Sequence, residues 1–148
     1  MATLAPDTAM RMTLIANGTY AAITTRAYPN GMVPQDATLP YSTYFRVSTV
    51  RDPVLTRASG MVHARIQWEH YSTSLATVRA MAEAMRSAFD GMIDNTISSG
   101  ADSLYVLAVR LEDEDDSALA PTSGEELRIL GMRQDWIIHY RETVPTFA

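Results

Sequence analysis

The chain has 148 residues, of which 47% are hydrophobic and 20% are charged, and its formal net charge is -5. These values fit one globular domain that buries about two-thirds of its unfolded surface. The absence of cysteine excludes disulfides and thiolate metal ligands. The acidic balance argues against a protein that reads nucleic acid through a basic patch. The first residues lack the basic start and apolar core of a signal peptide, so we expect the chain to fold in a cytoplasm.

The N-terminal segment predicts a short helix. Pro6 is suited to its first turn, and the Asn17-Gly18 pair is suited to its end. Proline and glycine residues then predict a loop that leads to the first strand; these are Pro29, Gly31 and Pro34.

Two strands with alternating polarity follow, in residues 39–47 and 61–71. In the second, Val62, Ala64, Ile66 and Trp68 alternate with His63, Arg65, Gln67 and Glu69. This period of two is typical of a half-buried strand. The polar segment 51–60 between the two strands predicts the loop of an antiparallel hairpin.

Residues 74–92 show the helical spacing of apolar side chains most clearly. Leu75, Val78, Ala82, Met85, Phe89 and Met92 recur at steps of three and four. We expect the helix to pack on one face of the sheet. Four of its side chains, Leu75, Val78, Met85 and Phe89, should contact Val62, Ile66, Trp68, Trp136 and Ile138.

The last third of the chain predicts a central strand in residues 104–111, an acidic loop in 112–126 and a final strand in 127–142. Gly131 is interpreted as a possible bulge, and residues 143–148 as an extended tail. The predicted fold class is α+β. It comprises a mainly antiparallel sheet of about four strands, one long helix on one face and a short N-terminal helix, all in one domain, 1–148.

The acidic loop is the one unusual cluster of charge. It contains Glu112, Asp113, Glu114, Asp115 and Asp116, but it lacks the glycine turn and the terminal glutamate of a calcium loop. His63, His70 and His139 are interpreted as surface histidines, because no third ligand accompanies them. The sequence contains no nucleophile elbow and no phosphate-binding loop. We therefore expect no enzyme activity, no catalytic residue, no cofactor and no metal.

Several short motifs occur in one order along the chain: Arg26-Ala27-Tyr28-Pro29, the L-P-Y-x-x-Y strand from Leu39, the A-R-x-Q-x-x-x-Y-S strand from Ala64, the A-x-A-M-R-x-A-F-D-G helix end from Ala82, and Trp136-Ile137-Ile138-His139-Tyr140-Arg141-Glu142. Together they resemble the tail completion, or tail terminator, proteins of long-tailed bacteriophages.

The resemblance implies a structural virion protein at the junction of tail and neck. Six copies would form a ring that caps the tail tube, ends its polymerisation and contacts the head-side connector, while DNA passes through without specific binding. One alternative is another neck or head-completion protein. A second is a small intracellular α+β domain that binds a ligand.

For residues 112–116, we expect a position at the channel or rim of the ring. Burial of five adjacent carboxylates without cations is too costly, and negative charge near the channel would discourage contacts with phosphate. The alternative is a solvated loop that faces outward and has no function.

Overall fold

A computed structural model of the chain describes residues 3–54, 57–119 and 129–143, with the side chains of 53, 54, 57–59, 118 and 119 left aside. The described residues form a mixed sheet of six strands, curled into a half-barrel, and three helices. In chain order the elements are α1 (Pro6–Ala16), α2 (Gly18–Ala21), β1 (Ala27–Pro29), β2 (Tyr41–Val54), β3 (Arg57–Ser72), α3 (Leu75–Phe89), β4 (Ile93–Ser99), β5 (Asp102–Leu119) and β6 (Ile129–Arg141).

The predicted fold class, about four strands with one long helix, is wrong. The sheet has the order β1-β2-β3-β6-β5-β4, in which β1 pairs in parallel with β2 and every other pair is antiparallel. The sequence missed β1 because it has three residues. It missed β4 because only Ile97 of that strand is buried, so no alternation marks it. The helix α3 is also shorter than the predicted 74–92.

The helix boundaries follow local capping. Pro6 occupies the first turn of α1, where a missing N–H costs no hydrogen bond. The Asn17 side chain accepts hydrogen bonds from the N–H groups of Thr19 and Tyr20, which begins α2. Ser74 Oγ likewise accepts from the Thr77 N–H at 3.4 Å and begins α3.

Both long hairpins extend further than the sequence indicated. Strands β2 and β3 remain paired through Val54 and Arg57, so most of the predicted loop 51–60 is strand. Strand β5 continues to Leu119, so the predicted acidic loop is strand up to that residue. Carboxylates are depleted in strands in general, but cross-strand partners on β6 stabilise this run. The remainder of the predicted loop, residues 120–128, lies outside the described ranges.

The core lies between one face of the sheet and the helices. Its largest fully buried side chains include Trp68, Trp136, Tyr140, Phe89, Ile66 and Ile138. The rings of Phe89 and Trp136 meet edge to face, with 6.1 Å between their centroids. Val78, Met85 and Phe89 are buried as expected, but Leu75 is 40% exposed, so the prediction that Leu75 packs on the sheet is wrong.

Gly131 is not at a bulge, as the sequence had suggested. It pairs in register with Tyr71 of β3 and with Ser117 of β5. A Cβ at this position would lie 2.6 Å from Ser117 Oγ and 3.1 Å from the Tyr71 ring. Glycine is present here because both neighbours occupy the space of a side chain. The register shifts occur elsewhere, for example between Leu111 and Asp113.

Candidate functional site

The acidic run is part of β5, so its side chains alternate between the two faces of the sheet. Asp113 and Asp115 pair with Asp135 and Arg133 of β6 on the face that carries no helix, which we call the helix-free face. Glu114 points to the helix side, where the Nε2 of Gln134 donates a hydrogen bond to its Oε2 at 3.0 Å. The structure therefore divides the predicted cluster between two environments.

Arginine side chains compensate much of this charge. Arg133 Nε and Nη2 each donate to Asp115 at 2.9 Å, and Arg133 Nη2 also lies 3.7 Å from Asp113. This hydrogen bonding with Asp115 raises the pKa of Arg133 above its usual value. Arg110 lies 3.4 Å from Glu112, and Arg79 of α3 lies 3.8 Å from Asp116. Four of the five carboxylates thus lie beside three arginines, and Glu114 accepts from Gln134. The run is therefore less repulsive than its sequence suggests.

Two of the three histidines meet on the helix-free face. His63 and His139 are directly paired across β3 and β6, with ring centroids 5.5 Å apart. Partial burial lowers the pKa of His139, and the nearby His63 and Arg110 lower it further. The part of the chain that the structure describes contains no group of three potential ligands able to hold a metal ion. This pair is a polar feature of the surface.

The third histidine, His70, is fully buried, so its interpretation as a surface residue is wrong. Its Nδ1 lies 2.6 Å from Ser42 Oγ, which in turn lies 2.6 Å from the Tyr20 hydroxyl. Its Nε2 lies 2.9 Å from Gln134 Oε1. Burial lowers the pKa of His70 to about 4, so the ring is neutral. The sequence did contain the signal, because His70 continues the alternation of Val62, Ala64, Ile66 and Trp68.

A shallow groove of about 520 Å³ lies between α1, the end of α3 and β4. Its lining contains no charged side chain and no histidine; it is formed by Met12, Thr13, Ala16, Asn17, Ala88, Asn95, Thr96, Ile97 and Ser98. The groove therefore brings together none of the residues that the sequence singled out as a possible site.

The two edges of the sheet differ from its covered interior. Strand β1 pairs with β2 only at residues 42–44, which leaves the outer edge of β2 without a neighbouring strand from Phe45 onward within the described ranges. Strand β4 forms the opposite edge. Large apolar side chains are exposed along these edges, at Phe45, Val47, Val50 and Ile93. These side chains leave apolar surface in water along strand edges that have no neighbouring strand within the described ranges.

None of the helices in the described ranges combines the length and the hydropathy that crossing a bilayer requires. The longest of them, α3, has 15 residues.

Comparison with known proteins gives a match of fold. No family model matches the chain, and no curated protein matches it. Among solved structures, the chain is similar to a chain in the virion of a native gene transfer agent particle, with a TM-score of 0.70 and 15% sequence identity. The alignment covers 93% of this chain and 95% of the other. The two chains share a fold over nearly their whole lengths.

Proposed function

We propose that this protein is a structural component of a phage-like virion, where it forms a ring, of six copies, that closes the tail tube and joins it to the head-side connector. In this proposal the ring ends polymerisation of the tube, and DNA passes through it without specific binding. In this proposal the protein is a structural part of the particle and catalyses no reaction.

The observation that carries the proposal is the shared fold with a chain of a gene transfer agent virion, at a TM-score of 0.70 over 93% of this chain. The match covers both chains almost completely, so it involves the whole domain and not a common substructure. The sequence motifs that resemble tail terminators favour the tail end of such a particle over other positions.

The geometry of the sheet supports a ring. The part of β2 that β1 leaves uncovered and the edge strand β4 are different surfaces on opposite sides of the sheet. Repetition of a contact between two different surfaces generates a closed ring when the rotation per subunit allows closure. The exposed apolar side chains along these edges supply contact area that a neighbour could cover.

We place the helix-free face toward the channel of this ring. That face carries Asp113 and Asp115 together with Arg133, so its charge is mixed and not uniformly negative. Mixed charge offers passing DNA no continuous basic track, and the two aspartates discourage phosphate contacts close to the wall. Screening limits this repulsion to about 8 Å at physiological salt, so the face must lie close to the DNA.

The test is a reconstruction of particles from the cell that encodes this protein, with the gene present and deleted. We expect six copies at the head end of the tail, and tails of uncontrolled length or without heads when the gene is deleted. Six copies on the head side of the connector would instead assign a neck or head-completion role. Absence from the particle would refute the proposal.

A further inference from the structure

The strand registers place the open part of β2 and the edge strand β4 at the same level of the sheet. One row of directly paired residues crosses the sheet from edge to edge: Val50, His63, His139, Ala108 and Ile93. The segment that β1 covers, residues 42–44, pairs far from this row, at the other end of β3. Strand β1 therefore does not obstruct an approach to β2 at the level of Val50.

The two ends of this row are both apolar and exposed. Val50 is 45% exposed and Ile93 is 66% exposed. Between them lie His63 and His139, whose ring contact is on the helix-free face. In a monomer, Val50 and Ile93 each expose apolar surface to water, which is unfavourable. A neighbouring subunit could bury that surface.

The directions of the strands also agree. Four antiparallel pairings separate β2 from β4, so these two edge strands run in the same direction. Suppose that the rotation of a ring relates two neighbouring copies and that their sheets join edge to edge. Strand β4 of the first copy then lies parallel to β2 of the second. A two-fold axis would instead bring like edges together, with their strands antiparallel.

We propose that the partner of the open β2 edge is the β4 edge of a second copy of this chain, paired in parallel, with Val50 beside the Ile93 of that copy. This inference rests on the proposed ring and specifies its contact. Main-chain hydrogen bonds between the two edges hold the copies together, and the apolar pair sets the level at which they meet. The contact closes the sheet at both edges.

The chain contains no cysteine, so introduced thiols report the contact without interference. The double variant Val50→Cys/Ile93→Cys is oxidised mildly, both as purified protein over a range of concentrations and in particles from producer cells. We expect a ladder of covalent oligomers that ends at the ring. Each single variant should give no covalent dimer. The control Leu75→Cys/Ile93→Cys, whose first position is exposed on α3 away from the edges, should give no ladder.

Other outcomes contradict the inference in distinguishable ways. A covalent dimer from Val50→Cys alone would indicate like edges and a two-fold contact. A ladder from the Leu75 control would indicate random collision. Rings visible in the particle without a cross-link in the double variant would refute this contact and leave the ring intact. A particle that lacks the protein would refute the proposed function and this contact together.

A charge exchange gives an independent test. Val50→Lys with Ile93→Lys should abolish the ring, because like charges would meet at the contact. Val50→Lys with Ile93→Glu should restore it, whereas Leu75→Lys should leave assembly unchanged. Thermal unfolding of each variant verifies that the monomer is folded. Equal assembly of the Lys/Lys and Lys/Glu variants would refute the pairing.

Discussion

His70 Nε2 lies 2.9 Å from Gln134 Oε1, and this contact between β3 and β6 fixes the direction of a buried chain of hydrogen bonds. Because Oε1 only accepts, His70 must carry its proton on Nε2, and its Nδ1 then accepts from Ser42. Ser42 Oγ in turn accepts from the Tyr20 hydroxyl, whose pKa burial raises to about 12. Gln134 Nε2 completes the chain by donating to Ala82 O and to Glu114.

This arrangement predicts a loss of stability in acid. The pKa of His70 is about 4 in the folded protein and about 6.5 when unfolded. The unfolded chain therefore binds the extra proton between these values, and stability decreases as pH falls from about 6.5 to 4. The loss should total on the order of 3 kcal/mol.

Denaturant unfolding at several pH values measures this effect. Carboxylates titrate in the same range, so the comparison is between the parent protein and His70→Gln. The variant should lose stability at neutral pH but show a shallower acid dependence. His63→Gln, at a partly exposed position on the helix-free face, is the matched control. Equal slopes for His70→Gln and the parent would contradict the assignment.

The packing of α3 predicts a large difference between two apolar positions on one helix. Phe89 is 1% exposed and packs on Trp136, so Phe89→Ala should lower the free energy of unfolding by roughly 3–5 kcal/mol. Leu75 is 40% exposed, and Leu75→Ala should cost less than about 1 kcal/mol. Chemical denaturation of both variants tests the pair. Similar costs would show that the face assignment of α3 is wrong.

Gly131 should not tolerate a methyl group. In Gly131→Ala the new Cβ would meet Ser117 Oγ and the Tyr71 ring, and relief of the overlap should cost roughly 1–3 kcal/mol. The double variant Gly131→Ala/Ser117→Ala removes the closest atom and should recover part of the loss. Tyr71 remains, so recovery should be incomplete. A neutral Gly131→Ala would contradict this, because it would mean that the Ser117 hydroxyl and the Tyr71 ring move aside at little cost.

Replacement of Asp113 and Asp115 on the helix-free face tests whether these aspartates affect DNA release without affecting the stability of the fold. Asp113→Asn with Asp115→Asn removes the partners of Arg133, but these pairs are solvent-exposed, so their loss should change the free energy of unfolding little. If the face lines a channel, the variant should slow DNA release from particles. The control Glu83→Gln with Asp90→Asn also removes two carboxylate charges, which lie beside Arg86 on the exposed side of α3. Unchanged release in both variants would exclude a channel role for these aspartates.

The sequence by itself determined the elements with strong periodicity. The helical spacing of Val78, Met85 and Phe89 and the alternation of Val62, Ile66 and Trp68 predicted α3, β3 and their contact, because burial of one face leaves a repeating trace in the chain. Capping residues such as Asn17 marked a helix end for the same local reason. The absence of cysteine and the charge balance likewise needed no structure.

Only the tertiary structure decided the rest, because those features depend on residues distant in the chain. Edge strand β4 buries one side chain and therefore leaves no periodic trace. The acidic residues 112–116 lie in a strand that pairs with β6, where Arg133 contacts Asp113 and Asp115 and Gln134 contacts Glu114, and no local pattern shows these partners. Val50 and Ile93 come to opposite ends of one row through four successive strand pairings, and that row exists only once the sheet has formed.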